Sequence, residues 1–246
     1  MEGHGQEGTE EGLGAQPPEE AEGDLSTPPS DVEDETSDRL STGIEILDNP
    51  EYLDGGFPTG SVVTLIADPV ATAELFLFDL AEARYSNYFT TSKPKYAVEL
   101  TLEQLGRSPE DFRVVDLYSA DDPVVKATMA LDEVSPGENI IVDNFSDLTQ
   151  NDGYERILNK IYQVSHDTDS LTYLFMIRDS DSTLSFEENK VPYMSDVVMQ
   201  MKTAVEGEKV ENRLAITKLR GMTPPEKTIK LNIGEEIEID TSRDIA

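Results

Sequence analysis

The residues best placed to do chemistry lie where an apolar run gives way to a helix. SVVTLIA (61–67) reads as a buried strand, and ADPVATAE (67–74) opens the helix that follows. A strand, loop and helix in this order can carry G-x-x-x-x-G-K-[ST], the loop that cradles nucleotide phosphates. In that loop, glycines let backbone N–H groups converge on phosphate oxygens. The Lys neutralises the β- and γ-phosphates, and the hydroxyl binds Mg²⁺. Here Ala67 stands at the first Gly, Thr72 at the second, Ala73 at the Lys and Glu74 at the Ser/Thr. No shift of register restores the pattern, because no Lys occurs between Arg39 and Lys93. Val70 is β-branched and resists positive φ. The frame of a phosphate loop is therefore present without its chemistry.

Glu74 places a carboxylate on the first turn of the helix, near where a phosphate would sit. One expectation is that Glu74, with Asp68, satisfies the positive helix end in place of the missing phosphate. The other is that both acids point to solvent as part of an acidic surface. A second candidate is Asp143, which ends the apolar run IIV (140–142). An acid at the end of such a strand can orient Mg²⁺ in phosphoryl-transfer enzymes. Without the Lys and the hydroxyl it is expected to be a structural relic of an Mg²⁺ site.

Alternating βα units must position these groups. After 61–67 come a helix (71–84), the strand SNYFTT (86–91), a helix ending at Gly106, and the strand FRVVDLYS (112–119). A helix (122–134), the strand ENIIVDNF (138–145), a helix striped by Ile157, Leu158, Ile161 and Val164, and the strand LTYLFMI (171–177) follow. Runs 196–205, 212–219, 227–233 and 236–240 read as strands joined by tight turns. The fold class expected is α/β: a mostly parallel sheet with helices on both faces and a C-terminal antiparallel β extension. Ligands in that class sit beyond the carboxyl ends of the strands, where both candidate sites fall.

The chain of 246 residues has 51 acidic and 19 basic side chains, for a net charge of −32. Residues 1–38 hold 13 acids and no Lys or Arg, which leaves 38 acids, 19 bases and a net −19 for residues 39–246. The segment 1–38 is poor in large aliphatics and is expected to be a disordered acidic tail before a single domain, 39–246. An acidic body of this kind tolerates its self-repulsion best in concentrated salt. We therefore expect a salt-rich cytoplasm and a halophilic archaeal host. The same charge makes binding to nucleic acid or to anionic membranes an unlikely use of the chain, because both depend on Lys and Arg. No apolar stretch is long enough to span a bilayer, and MEGHGQEGTEEGLG has neither a basic nor an apolar leader, so cytoplasmic placement is expected. The chain has no Cys and only two His, His4 and His166, so neither thiolate nor His-based metal sites are expected.

Residues 40–245 resemble the KaiC/RadA branch of the RecA-like ATPases, in particular single-domain KaiC-like proteins. The resemblance is carried by Ser41, Thr42, Gly43, Leu47 and Asp48 in STGIEILD, and by Gly55, Gly56, Pro58 and Gly60 in GGFPTGS. IIVDNFSDL (140–148) is similar to the family's Mg²⁺-site strand, and Lys218-Leu219-Arg220-Gly221 to its K-x-R-G motif. The resemblance implies a RecA-like core that assembles into rings or filaments with ATP between subunits. It also implies that Lys218 and Arg220 form an interface pair reaching a neighbour's phosphate. As residues i and i+2 of one strand, they would equally share a face with no such role. The catalytic Glu that the family places after the second strand meets Ser92 or Lys93 here.

The reading that follows is a non-catalytic RecA-like module, a pseudo-ATPase with no catalytic residue, no metal and no cofactor expected. It would act in interaction or regulation, with signal transduction as one setting. Its partner would be a second copy of itself or a KaiC-like ATPase or signalling protein. Two alternatives stand beside it: an ATPase with an atypical loop that binds Mg-ATP, and a RadA-paralogue-type DNA-repair accessory subunit.

Overall fold

The structure, a computed structural model, describes residues 39–69, 71–178, 183–206, 209–233 and 237–239. The expected tail and Val70 lie outside them. A short ribbon opens the described chain: β1 (Arg39–Leu40) pairs antiparallel with β2 (Phe57–Pro58). Then come β3 (Val62–Ala67), α1 (Ala73–Glu82), β4 (Ser86–Thr90), α2 (Lys95–Gln104), β5 (Phe112–Asp116) and α3 (Pro123–Leu131). They continue as β6 (Asn139–Val142), α4 (Phe145–Thr149), α5 (Tyr154–Asp167), β7 (Leu171–Ile177) and α6 (Phe186–Met194). Four strands close the chain: β8 (Val197–Glu206), β9 (Lys209–Leu219), β10 (Ile229–Ile233) and β11 (Ile237–Ile239).

The main sheet has nine strands in the order β11-β10-β9-β8-β3-β7-β6-β4-β5. Strands β8, β3, β7, β6, β4 and β5 run parallel, and β9, β10 and β11 add antiparallel to the β8 edge. This is the α/β architecture expected: a mainly parallel sheet, helices on both faces and an antiparallel extension. The central strands are mostly apolar because both of their faces are covered, with Thr64, Asn139 and Thr172 as buried polar exceptions. Successive side chains alternate between two cores. Val63, Leu65, Tyr173 and Phe175 join α1 and α2, while Val62, Ile66, Leu174 and Met176 join α3, α4, α5 and Val191 of α6. Each large side chain so buried stabilises the fold by about 1.5–3 kcal/mol.

Several motif residues turn out to be structural fasteners. Asp48 accepts hydrogen bonds from the Ser41 hydroxyl at 2.6 Å and from the Thr42 N–H at 2.9 Å. Gly43, at φ +81°, brings this turn against Ala83 at the end of α1. Gly56 lies at φ +115°, and a Cβ there would sit 2.1 Å from the Leu40 carbonyl oxygen. Its neighbour Gly55, at φ +96°, faces open space.

Three elements were not expected from the sequence: the β1–β2 ribbon, α4 and α6. The signal for α6 was legible in Ser185 and Glu188. The Ser185 hydroxyl accepts from the Glu188 N–H at 3.1 Å, and the Glu188 carboxylate accepts from the Ser185 N–H at 2.8 Å, a reciprocal cap. Pro192 inside the helix argued against it, since proline removes a donor. Among the described residues no helix is long and apolar enough to cross a membrane.

The two adjacent glycines separate backbone strain from collision. Gly55→Ala is expected to cost about 1–2 kcal/mol from its positive φ alone. Gly56→Ala adds a main-chain clash and is expected to cost at least about 2 kcal/mol more. Urea midpoints of the two variants test this, and equal midpoints would remove the clash from the account of the ribbon.

Candidate functional site

The carboxyl edge of the parallel strands gathers Asp143, Glu74 and the segment after β4. Asp143 follows β6 and is nearly buried. Its neighbour in the sheet, β4, ends in Thr90, and Thr91, Ser92 and Lys93 wrap over the carboxylate. One carboxylate oxygen faces the Thr90 hydroxyl at 2.9 Å and the Ser92 hydroxyl at 2.7 Å. The other faces the Thr91 N–H at 2.7 Å and the Thr91 hydroxyl at 3.0 Å. Thr90 and Thr91 divide their single hydroxyl protons between Asp143 and the carbonyls of Lys93 and Asn144. The lone pairs of the carboxylate are thereby occupied by the chain itself.

Lys93, the last residue of this clasp, turns its ammonium to Glu74 on the first turn of α1, at 2.5 Å. Both side chains are about one-third exposed, at 31% and 39%. The charges are inverted relative to a working phosphate loop: the loop contributes the acid, and the segment after β4 contributes the Lys. Of the two expectations for Glu74, neither a helix cap nor a free surface acid describes it, because its partner is a cation from the segment after β4. The N-cap of α1, Thr72, makes no side-chain cap bond.

The loop between Ala67 and Ala73 keeps the length of the phosphate motif but not its backbone. The Ala71 N–H is spent on the Asp68 carbonyl at 2.9 Å, and the Leu75 N–H on Thr72 at 3.1 Å. Ala73 is fully buried in the core beneath α1. Below the edge, Tyr88 stacks on Phe78 with ring centroids 5.4 Å apart. Its hydroxyl is buried without a hydrogen-bond partner. Burial pushes its phenol well above the ordinary range, and the charges of Asp143 and Glu74 add to that shift. Burial likewise raises Asp147 of α4, with the charge of Asp143 adding to it and hydrogen bonds from Asn144 and Thr91 opposing it. Asp147, Tyr88 and the Thr90–Ser92 clasp were not singled out in the sequence. Three consecutive hydroxyls directly after a buried strand were the available signal. Among the described residues no group of three or more His, Asp or Glu side chains is placed to hold a metal ion.

Lys218 and Arg220 lie elsewhere, at the amino edge of the parallel strands. The Lys218 ammonium donates to the carbonyls of Pro192 at 3.1 Å and Tyr193 at 2.8 Å. Arg220 donates to the Met194 carbonyl at 2.9 Å and pairs with Asp196 at 2.8 Å. Both heads thus meet the unsatisfied carbonyls of the last turn of α6, where cations also complement the helix dipole. Burial pushes the Lys218 ammonium below its ordinary range, and the Arg220 charge adds to the shift.

With this geometry in place, the fold is that of a KaiC-like, RecA-type protein. The KaiC-like protein PH0186 from the hyperthermophilic archaeon Pyrococcus horikoshii OT3 has a similar structure, with a TM-score of 0.67 over 82% of this chain and 99% of that one. The two sequences are 15% identical, so the likeness is one of fold. In all, 633 chains of solved structures match, and a fold so widely shared does not by itself carry a function. No curated protein matches the sequence. Residues 39–246 match the Family of unknown function (DUF7125), and the chain belongs to that family.

The two fasteners of the carboxyl edge differ in burial, so their worth should differ. Asp143→Ala leaves the Thr91 N–H and its neighbours without an acceptor and is expected to cost about 2–3 kcal/mol. A Glu74→Ala, Lys93→Ala double-mutant cycle is expected to give a coupling below about 1 kcal/mol, because both groups are solvated. Chemical denaturation of the four variants checks both expectations. A coupling larger than the loss at Asp143 would make the ion pair the main fastener.

Proposed function

We propose that this chain is a RecA-like module without ATPase activity, used for interaction or regulation. The carrying observation is at the carboxyl edge. The Glu74–Lys93 pair and the clasped Asp143 fill the roles that phosphate and Mg²⁺ have in a working site. The residues present do not fit Mg-ATP. A γ-phosphate near Glu74 would meet like charge, a metal at Asp143 would have to displace Thr91 and Ser92, and Ala73 offers no cation. No catalytic step through nucleotide is therefore derived.

In this reading the internal ion pair and the clasp keep the edge folded without ligand, so the module is permanently assembled. Its partner would be a second copy or a KaiC-like ATPase, and a signalling role would follow from such pairing. The acidic composition supports a salt-rich, halophilic setting and leaves little attraction for nucleic acid.

Titration with labelled Mg-ATP in about 3 M KCl tests the central claim. No saturable binding is expected at micromolar nucleotide. The Ala73→Lys, Glu74→Thr variant, which frees Lys93 and restores the loop's cation and hydroxyl, is expected to gain affinity. Saturable micromolar binding by the natural chain would overturn the proposal. The setting is tested separately by thermal unfolding: the midpoint should rise steeply as KCl goes from about 0.1 to 3 M and the screening length shrinks from about 10 Å to about 2 Å. A flat profile would remove the halophilic reading.

A further inference from the structure

A second concavity lies at the opposite, amino edge of the sheet. It is open to solvent and encloses about 470 Å³, within the range of small-molecule sites, which run from about 300 to 1,000 Å³. Its walls come from four parts of the chain. Pro58 ends β2 and Thr59 lies in the turn before β3, Tyr162 and His166 lie one helical turn apart near the end of α5, Asp196 precedes β8, and Arg220 follows β9. Of the motif residues, Pro58, Gly60 and Arg220 contribute.

The charged pair in this pocket is held rigidly. The Asp196 N–H donates to the Val62 carbonyl at 2.8 Å, and the Asp196 carboxylate accepts from the Val62 N–H at 2.9 Å. The Arg220 N–H donates to the Asp196 carbonyl at 2.8 Å. The Arg220 guanidinium is then fixed between the Asp196 carboxylate and the Met194 carbonyl. These contacts use two of its five N–H groups, and 61% of its side chain remains exposed. A guanidinium so oriented is a preorganised fork for a carboxylate.

The pocket does not suit a multiply charged anion. With His166 neutral, the formal charges of Arg220 and Asp196 cancel, and the body around them is strongly negative. A phosphate dianion would face Asp196 at short range. A ligand of no net charge enters this field without penalty, provided that it carries both signs. Asp196, at 19% side-chain exposure, has lone pairs beyond those engaged by Arg220 and Val62. His166 and Gln163 supply further acceptors, and Pro58 with the Tyr162 ring supplies an apolar floor.

We propose that this pocket is a binding site for a small zwitterion, a free amino acid with an apolar side chain. Its carboxylate lies on Arg220, its ammonium faces Asp196, and its side chain lies on Pro58 and Tyr162. The site stands whether or not nucleotide binds at the carboxyl edge. In the regulatory reading it would be the sensor.

The test is ligand-observed NMR and calorimetry of the full chain in about 3 M KCl, with the apolar amino acids as probes. The matched carboxylic acids without the ammonium and the matched amines without the carboxylate serve as controls. Saturable binding of at least one amino acid is expected, with both controls at least about tenfold weaker. Arg220→Lys keeps the charge but loses the fork and should weaken binding by at least about tenfold. Arg220 also caps α6, so a second variant guards against loss of fold. Gln163→Trp, on the solvent side of α5, fills the pocket without touching that cap and should abolish binding at an unchanged unfolding temperature. Absence of saturable binding by every amino acid tried would overturn the proposal. Equal binding of the carboxylic acids would overturn the zwitterion, and unaltered affinity in folded Gln163→Trp would overturn the location.

Discussion

A buried carboxylate must be satisfied, and at the carboxyl edge of this sheet that requirement organises everything around it. Asp143 directly follows β6 at that edge and is buried. The chain answers with hydroxyls and an N–H from the end of the adjacent strand β4. That clasp fixes the path of Thr91–Ser92, and the path delivers Lys93 to Glu74. The ion pair in turn sits on the first turn of α1, whose core face carries Phe76, Leu77 and Leu80. The charges of Asp143 and Glu74 are met by groups of the chain itself.

The other end of the sheet shows the same economy with different residues. The last turn of α6 leaves carbonyls without partners, and Lys218 and Arg220 supply donors from β9 and just beyond it. This also accounts for a helix that contains Pro192 and depends little on local propensity. Asp196 ties the start of β8 to β3 through paired backbone and side-chain bonds to Val62 and holds Arg220 at the same time. The starts of β3 and β8 and the end of β9 therefore meet at one carboxylate. The pocket beside it is a consequence of how that junction is built.

Much of this was legible from local pattern. The apolar runs of β3, β6 and β7 announced strands buried on both faces, and the stripe of Ile157, Leu158, Ile161 and Val164 announced α5. The departure from the phosphate-loop letters was visible at Ala67, Thr72, Ala73 and Glu74. What these residues and Asp143 meet was not visible. The partner of Glu74 lies nineteen residues away, on the other side of a helix and a strand. The donors to Asp143 come from more than fifty residues upstream. Lys218 and Arg220 could be placed on one face of a strand, but what that face met depended on α6, whose Pro192 masked the capping signal of Ser185 and Glu188.

The sequence by itself determined the α/β class, the order of elements, the acidity of the whole and the absence of the letters G-x-x-x-x-G-K-[ST] after β3. These depend on residue type and on short-range period, and both can be read along a chain. Tertiary structure alone decided that Asp143 is met by hydroxyls and an N–H from the end of β4, that Glu74 pairs with Lys93, and that Arg220 borders a pocket. Those outcomes depend on which strands become neighbours. A parallel sheet sets that through crossovers, bringing together residues far apart in sequence whose side chains carry no mark of their partners.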